Sequence, residues 1–97
     1  MEKTQVEINE NGRGEIQLLS DDEKVGKMDV AIKDGKLTVY HTEVNPEHEG
    51  KGFASELVEK LVSHAKENDL KIVPLCPYVH AKFKRNPEKY GDVWFKK

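Results

Sequence analysis

Polar and apolar side chains alternate with a period near two up to Val44, and beyond Gly52 the spacing becomes helical. Gln5-Val-Glu-Ile8 alternates, which predicts a short half-buried strand. Gly14–Leu19 predicts a second strand, and Asn11-Gly12 before it is a strong hairpin signal. After a turn at Ser20–Glu23, Lys24–Ile32 predicts a third strand with Val25, Met28, Val30 and Ile32 facing inward. A shift in its alternation near Gly26-Lys27 predicts a bulge. Asp34-Gly35 is the next hairpin turn, and Leu37–Val44, β-branched and aromatic, the fourth strand. Pro46 ends it, because proline cannot donate to a ladder.

Phe53, Ala54, Leu57, Val58, Leu61, Val62 and Ala65 then line one face at helical period, which predicts a helix from Gly52 to about Glu67. Asn68-Asp69 caps it. Leu70–Leu75 reads as a fifth strand and Tyr78–Arg85 as a second helix, stopped by Pro87. Asp92–Phe95 is a last short strand or a packed tail. The expected fold class is α/β with a mixed sheet: an antiparallel meander followed by strand–helix–strand–helix, as one domain over residues 1–97. A right-handed crossover makes the fourth and fifth strands parallel neighbours.

Composition narrows the function. A chain of 97 residues buries only roughly two-thirds of its unfolded surface, so its core is small. The net charge of −2 gives no global case for nucleic acid or an anionic membrane as partner. The charge is uneven, however. From Lys82 onward there are six basic residues against two acidic ones, which leaves −6 on the rest of the chain. A basic tail on an acidic body suits an anionic ligand, and equally a solvated charged helix. The single cysteine excludes an internal disulfide and fits a reducing compartment. With no apolar run of membrane-spanning length and no signal-peptide pattern, the expected location is the cytoplasm, and the expected state a monomer.

The stretch Asn45-Pro-Glu-His-Glu-Gly50-Lys-Gly-Phe-Ala54 joins the fourth strand to the first helix. Glycines at a helix start let a ligand approach N–H groups that have no intrahelical partner and carry the positive end of the macrodipole. That makes a phosphate or pyrophosphate site. The same glycines also fit a tight turn with close helix packing. A Walker loop is excluded because Phe53 follows Gly52, and a Rossmann turn because position 55 is Ser55.

Gly50-x-Gly52-x-Ala54 after a strand resembles the acetyl-CoA loop of the GNAT superfamily of N-acetyltransferases, Gln/Arg-x-x-Gly-x-Gly/Ala. The chain is more similar still to small GNAT-like acetyl-CoA-binding proteins of about this length. It shares with them Asn45–Ala54, Leu70-Lys-Ile-Val-Pro-Leu-Cys-Pro-Tyr78 and Asn86-Pro-Glu-Lys-Tyr90, a likeness covering about Val30 to Trp94. Glu47 departs from the Gln/Arg of the pattern, which removes one donor to the pyrophosphate. The resemblance implies acetyl-CoA as donor and an amine, small molecule or protein, as acceptor. It assigns the pyrophosphate to Glu49, Gly50, Lys51, Gly52, Phe53 and Ala54, and the pantetheine amides to the strand edge at Glu43 and Val44, an added-strand mode. GNAT folds usually carry two helices between the first two strands, which wall the acceptor site. Here a hairpin turn stands there, which implies an open site.

Cys76 lies where the fifth strand ends and the second helix begins, a position that favours a nucleophilic thiolate; free cysteines are also often small core residues. His41, mid-strand on the neighbouring strand, is the candidate base to bring near that thiol, and the resemblance points to this His and this Cys. It also implies a tyrosine acid in the second helix. Registered on Ala81, that place falls on Lys84-Arg85, so Tyr78 substitutes, the mechanism differs, or transfer is not the function. Tyr78, Lys82 and Arg85 share one helix face, from which Lys82 and Arg85 could reach a CoA phosphate. Cys76 and His80 alone do not make a zinc site. A non-enzymatic acetyl-CoA binder, and an interaction domain with a merely structural turn, stand as alternatives to an acetyltransferase.

Overall fold

The computed structural model of the chain describes residues 2–48, 50 and 52–95. Among these, the elements run β1 (Glu2–Ile8), β2 (Arg13–Ser20), β3 (Glu23–Lys33), β4 (Lys36–Val44), a 3-10 turn at Pro46–His48, α1 (Phe53–Glu67), β5 (Lys71–Pro74), α2 (Pro77–Arg85) and α3 (Pro87–Tyr90). The strands form one mixed sheet in sequence order. β1 to β4 are antiparallel neighbours, and β5 lies parallel to β4. This is the expected fold class, and the β1–β2 connection is a short turn closed by Gly12 N–H donating to Asn9 O.

The turns follow from local chemistry. Asp34 and Gly35 take φ of 51° and 75° between the Lys33–Lys36 pair. Positive φ at both central positions matches the twist of the strands they join. Asp21 and Asp22 do the same between β2 and β3, where short acidic side chains tolerate that backbone. α1 ends with Asp69 at φ 55°, and Leu70 N–H returns to Ala65 O at 2.8 Å. That is a left-handed cap closing the last helical turn.

One face of the sheet is the core. Ile16, Leu18, Met28, Val30, Leu37, Val39 and Ile72 are buried there against Phe53, Leu57, Val58, Leu61 and Ala65 of α1 and Val79 and Phe83 of α2. A Cβ on Gly26 would come within 3.3 Å of Leu57 and of Val44, so this glycine lets α1 close on β3. The other face is polar: Glu15 bridges Lys24 and Lys27, and Lys27 also reaches Asp29 and Glu43.

Two bulges interrupt the alternation. In the first, the register slips between Leu18 and Leu19, opposite Val25, one residue before the expected place. The second was not expected. Asp29 pairs with His41 but Val30 with Val39, so Tyr40 is an extra residue in β4. Val39 before it is buried, and Tyr40 and His41 are both exposed. Thr42, and not His41, resumes the inward set.

Pro87 does not simply stop a helix. It takes the first position of α3, where its missing N–H costs nothing. Tyr90 then stacks on Phe83 with ring centroids 4.6 Å apart. Where a last short strand or a packed tail is expected, the structure has a single bridge, in which Val93 and Phe95 hydrogen-bond Ile72 and so flank β5.

Candidate functional site

The β4–β5 pairing ends at Val39–Pro74, while β4 runs on to Val44. The two strands part there, and no described strand covers that edge of β4 beyond this point. Into the gap come the start of α1 and the start of α2. Together they enclose a cleft of about 350 Å³ lined by Thr42, Glu43, Val44, His48, Gly50, Gly52, Phe53, Ala54, Ser55 and Tyr78.

The α1 end of this cleft is shaped by two glycines in left-handed backbone. Gly50 and Gly52 take φ of 86° and 78°, and a Cβ on either would meet nothing within 4 Å. Glycine is needed for the backbone direction, then, and not to relieve crowding. Gly52 is the N-cap of α1 and offers no side-chain acceptor to the first turn. The N-cap residue therefore supplies no side-chain partner to the N–H groups of that turn. Lys82 Nζ donates to Ser55 Oγ at 2.7 Å and lies 5.9 Å from the Tyr78 ring centroid. This sets a cation beside the same helix turn. Arg85 does not line the cleft; it borders a separate depression with Asn86–Lys89. Glu49 and Lys51 fall outside the described residues.

Behind Thr42 of the lining sits Cys76, 3% exposed and the N-cap of α2. Its backbone N–H donates to Val39 O at 2.9 Å, which ties α2 to β4. Its thiol donates to Thr42 Oγ1 at 3.2 Å. The structure thus sets Thr42 against the thiol, where His41 was expected. Strict alternation from Leu37 and Val39 would have turned position 41 inward; the extra residue at Tyr40 turns Thr42 inward instead. His41 lies on the open polar face with its side chain 59% exposed, Nε2 at 3.9 Å from Glu43 Oε2. His80 packs its ring edge against Trp94 at 6.0 Å. Among the described residues no group of three or more His, Cys, Asp or Glu could hold a metal ion.

Across the end of β4 lies a second cleft, of about 430 Å³, lined by Lys24 to Lys27 and Glu43 to Pro46. It is larger, but no α-helix begins at it, and its cations are already engaged. Lys24 above all, then Gln17, holds the Glu15 carboxyl down at about 2. The Asp29 carboxylate beside Lys27 raises that ammonium above the usual lysine range. Sequence reasoning missed Thr42 and Ser55, each of which reads simply as a strand or helix-start residue.

A family model for GCN5-related N-acetyl-transferases matches residues 7–93. No curated protein sequence matches the chain. Among solved structures, a GCN5-like protein from Staphylococcus aureus aligns over 96% of this chain and 89% of its own, at 22% identity and a TM-score of 0.69. The ribosomal-protein-alanine N-acetyltransferase of Brucella melitensis aligns over 91% of this chain and 65% of its own, at 21% identity and 0.64. The ribosomal-protein-S18-alanine N-acetyltransferase of Escherichia coli aligns over 68% of this chain and 43% of its own, at 13% identity and 0.63. At these identities the likeness is one of fold, and this chain spans less than half the length of the Escherichia coli enzyme.

Proposed function

This chain belongs to the GCN5-related N-acetyltransferase family, and from that premise we propose that it binds acetyl-CoA in the cleft between β4 and the starts of α1 and α2 and transfers the acetyl group to an amine. The observation that carries this reading is the left-handed backbone at Gly50 and Gly52, leading into the uncapped first turn of α1 beside the Lys82 ammonium. Such a helix start suits a pyrophosphate. The uncovered edge of β4 at Glu43 and Val44 suits the pantetheine amides, held as an added strand. Bound there, acetyl-CoA would supply an activated acetyl thioester near Thr42 and Cys76.

Two routes are open to these residues. In the direct route the acceptor nitrogen attacks the thioester carbon, the carbon–sulfur bond breaks, and the released thiolate takes up the proton that the amine loses. His41, exposed on the open face, is the base we assign to that proton. In the second route the Cys76 sulfur attacks the thioester carbon and keeps the acetyl group. The proton of its thiol passes to the departing CoA sulfur, and an amine then displaces the thiol. The second route has its thiol already placed against a hydroxyl at 3.2 Å.

The runner-up is a non-enzymatic acetyl-CoA binder. It is favoured by Lys84-Arg85 standing where the family's usual tyrosine acid would fall. Calorimetric titration with acetyl-CoA, followed by turnover with mixed amines and intact mass, tests the proposal. Binding without turnover on any amine selects the runner-up. No binding leaves the Gly-rich turn as merely structural.

A further inference from the structure

β1 ends the sheet and pairs on one side only, with β2. An edge strand offers a row of unpaired N–H and C=O groups to another chain, and natural edges are blunted by proline, bulges, inward charges or a covering segment. The opposite edge, β5, is flanked by Val93 and Phe95. Among the described residues β1 has no such cover. It contains no proline or glycine, and its register with β2 runs unbroken from Glu2 to Ile8. Thr4, Val6 and Ile8, on the core face opposite Leu18, Ile16 and Gly14, carry no charge. Val6 and Ile8 pack on the core yet stay half-buried. A depression of about 560 Å³ separates the start of β1 from Glu59, Lys60 and Ser63, so α1 does not close over this edge.

The direction of the backbone groups follows from the hairpin. Asn9 N–H donates to Arg13 O at 2.8 Å, and hydrogen-bonded pairs alternate along an antiparallel ladder. Glu7, Gln5 and Lys3 therefore spend their backbone groups on β2, and those of Thr4, Val6 and Ile8 point outward. The charges of β1 are complementary about Gln5, with Lys3 two residues before it and Glu7 two after. A second β1, antiparallel and registered on Gln5, sets Thr4 opposite Val6 as a hydrogen-bonded pair. It also sets Lys3 opposite Glu7 twice, at the positions where side chains come closest. A slip of one residue would turn the two cores to opposite faces, and a slip of two would lose both charge pairs. Within the chain, Lys3 lies 3.7 Å from Asp22, and both side chains are largely exposed. Such a pair holds weakly and leaves Lys3 able to turn. Glu7 stands opposite Glu15 of β2, so a cation from a second copy suits it.

We propose that β1 pairs with β1 of a second copy of this chain, antiparallel and centred on Gln5, which joins the two sheets into one. The pairing satisfies the outward backbone groups and shields Val6 and Ile8. It departs from the monomer expected from the sequence, because alternation marks β1 as half-buried without placing it at an edge. One strand pair makes a small interface, so the dimer is weak and concentration-dependent. The acetyl-CoA cleft lies at β4, on the far side of β2 and β3, and the proposal does not depend on the acetyl-transfer reading.

Sedimentation equilibrium over about a hundredfold range of protein concentration tests it. The wild-type mass should rise from that of one chain toward that of two. Lys3→Glu and Glu7→Lys, each alone, should raise the dissociation constant about tenfold, since two opposite-charge pairs become like-charge pairs. The first variant is acidic at both positions and the second basic at both, so their equimolar mixture should associate as tightly as wild type. A wild-type monomer throughout, a dimer indifferent to both substitutions, or a mixture no tighter than its components would overturn the proposal. Amide hydrogen exchange of the wild-type chain gives a measurement that needs no variant. Exchange at Thr4, Val6 and Ile8 should slow as concentration rises, and rates independent of concentration would overturn the pairing.

Discussion

Cys76 Sγ lies 3.2 Å from Thr42 Oγ1, across the gap in which β4 and β5 part. One extra residue in β4, Tyr40, creates that pairing by exchanging the faces of His41 and Thr42. The thiol is buried and this hydroxyl lines the cleft. Thr42 thus links the thiol to the space assigned to the thioester.

A first prediction concerns this contact. Thr42→Val keeps the shape but removes the hydroxyl that accepts from the thiol and can turn to donate to the thiolate, a loss of about 1 kcal/mol for an ordinary hydrogen bond. Thr42→Ser restores the hydroxyl. Alkylation of Cys76 by iodoacetamide should slow several-fold in the valine variant and return close to wild type in the serine variant. Equal rates in all three proteins would mean that the hydroxyl does not position the sulfur.

Gly52 offers a second. Its φ of 78° is strained for any residue with a Cβ, yet a Cβ there meets no neighbour. Gly52→Val should destabilise the fold by about 1–2 kcal/mol from backbone strain alone and lower acetyl-CoA affinity as the loop shifts. Gly52→Asn, which tolerates the left-handed region, should cost less on both counts. Thermal unfolding and calorimetry on the two variants check this, and equal losses would argue against the backbone as cause.

The cations beside the cleft are not equivalent. Neither Lys82 nor Arg85 lines the cleft, but Lys82 donates to Ser55, which does, while Arg85 borders a separate depression. Lys82→Ala should weaken acetyl-CoA binding and flatten its salt dependence, because exposed charges are screened over ~8–10 Å at physiological strength. Arg85→Ala should change little. The reverse order in calorimetry would place the phosphates further along α2.

The polar face predicts a pH effect. Hydrogen bonding, first from Lys24 and then from Gln17, lowers the Glu15 pKa from 4.5 to about 2 in the folded chain. A depressed carboxylate pKa adds stability that is fully present above the unfolded value and lost as pH falls through the folded one. The loss should therefore run from about pH 4.5 to about pH 2. Lys24 is half exposed, so solvent screening holds the effect to about 1 kcal/mol. Glu15→Gln should remove this part of the acid dependence in denaturant titrations; an unchanged slope would show that the pair contributes nothing.

Much of the architecture was legible because local chemistry dictates it. Alternation along the first four strands, Asn and Asp with Gly at the turns, and the apolar face of Phe53–Ala65 each point to one structure. The first bulge showed as a break in alternation near Gly26. The second did not, because Tyr-His-Thr is a run of good strand formers whichever way each residue faces. Its extra residue appears only in the pairing of β3 with β4. That one slip separates the expected His41–Cys76 pair and produces Thr42–Cys76. Pro87 reads as a stop in the sequence, but the same fixed φ that ends one helix begins the next.

The central claim is that acetyl-CoA occupies the cleft at the start of α1. The most direct measurement is an amide NMR titration of the chain with acetyl-CoA. Saturable shifts should appear at Gly52 to Ser55 and at Thr42 to Val44, with the amides of Lys24 to Lys27 in the neighbouring cleft little changed. Shifts confined to Lys24 to Lys27, or none at all at saturating ligand, would contradict the account.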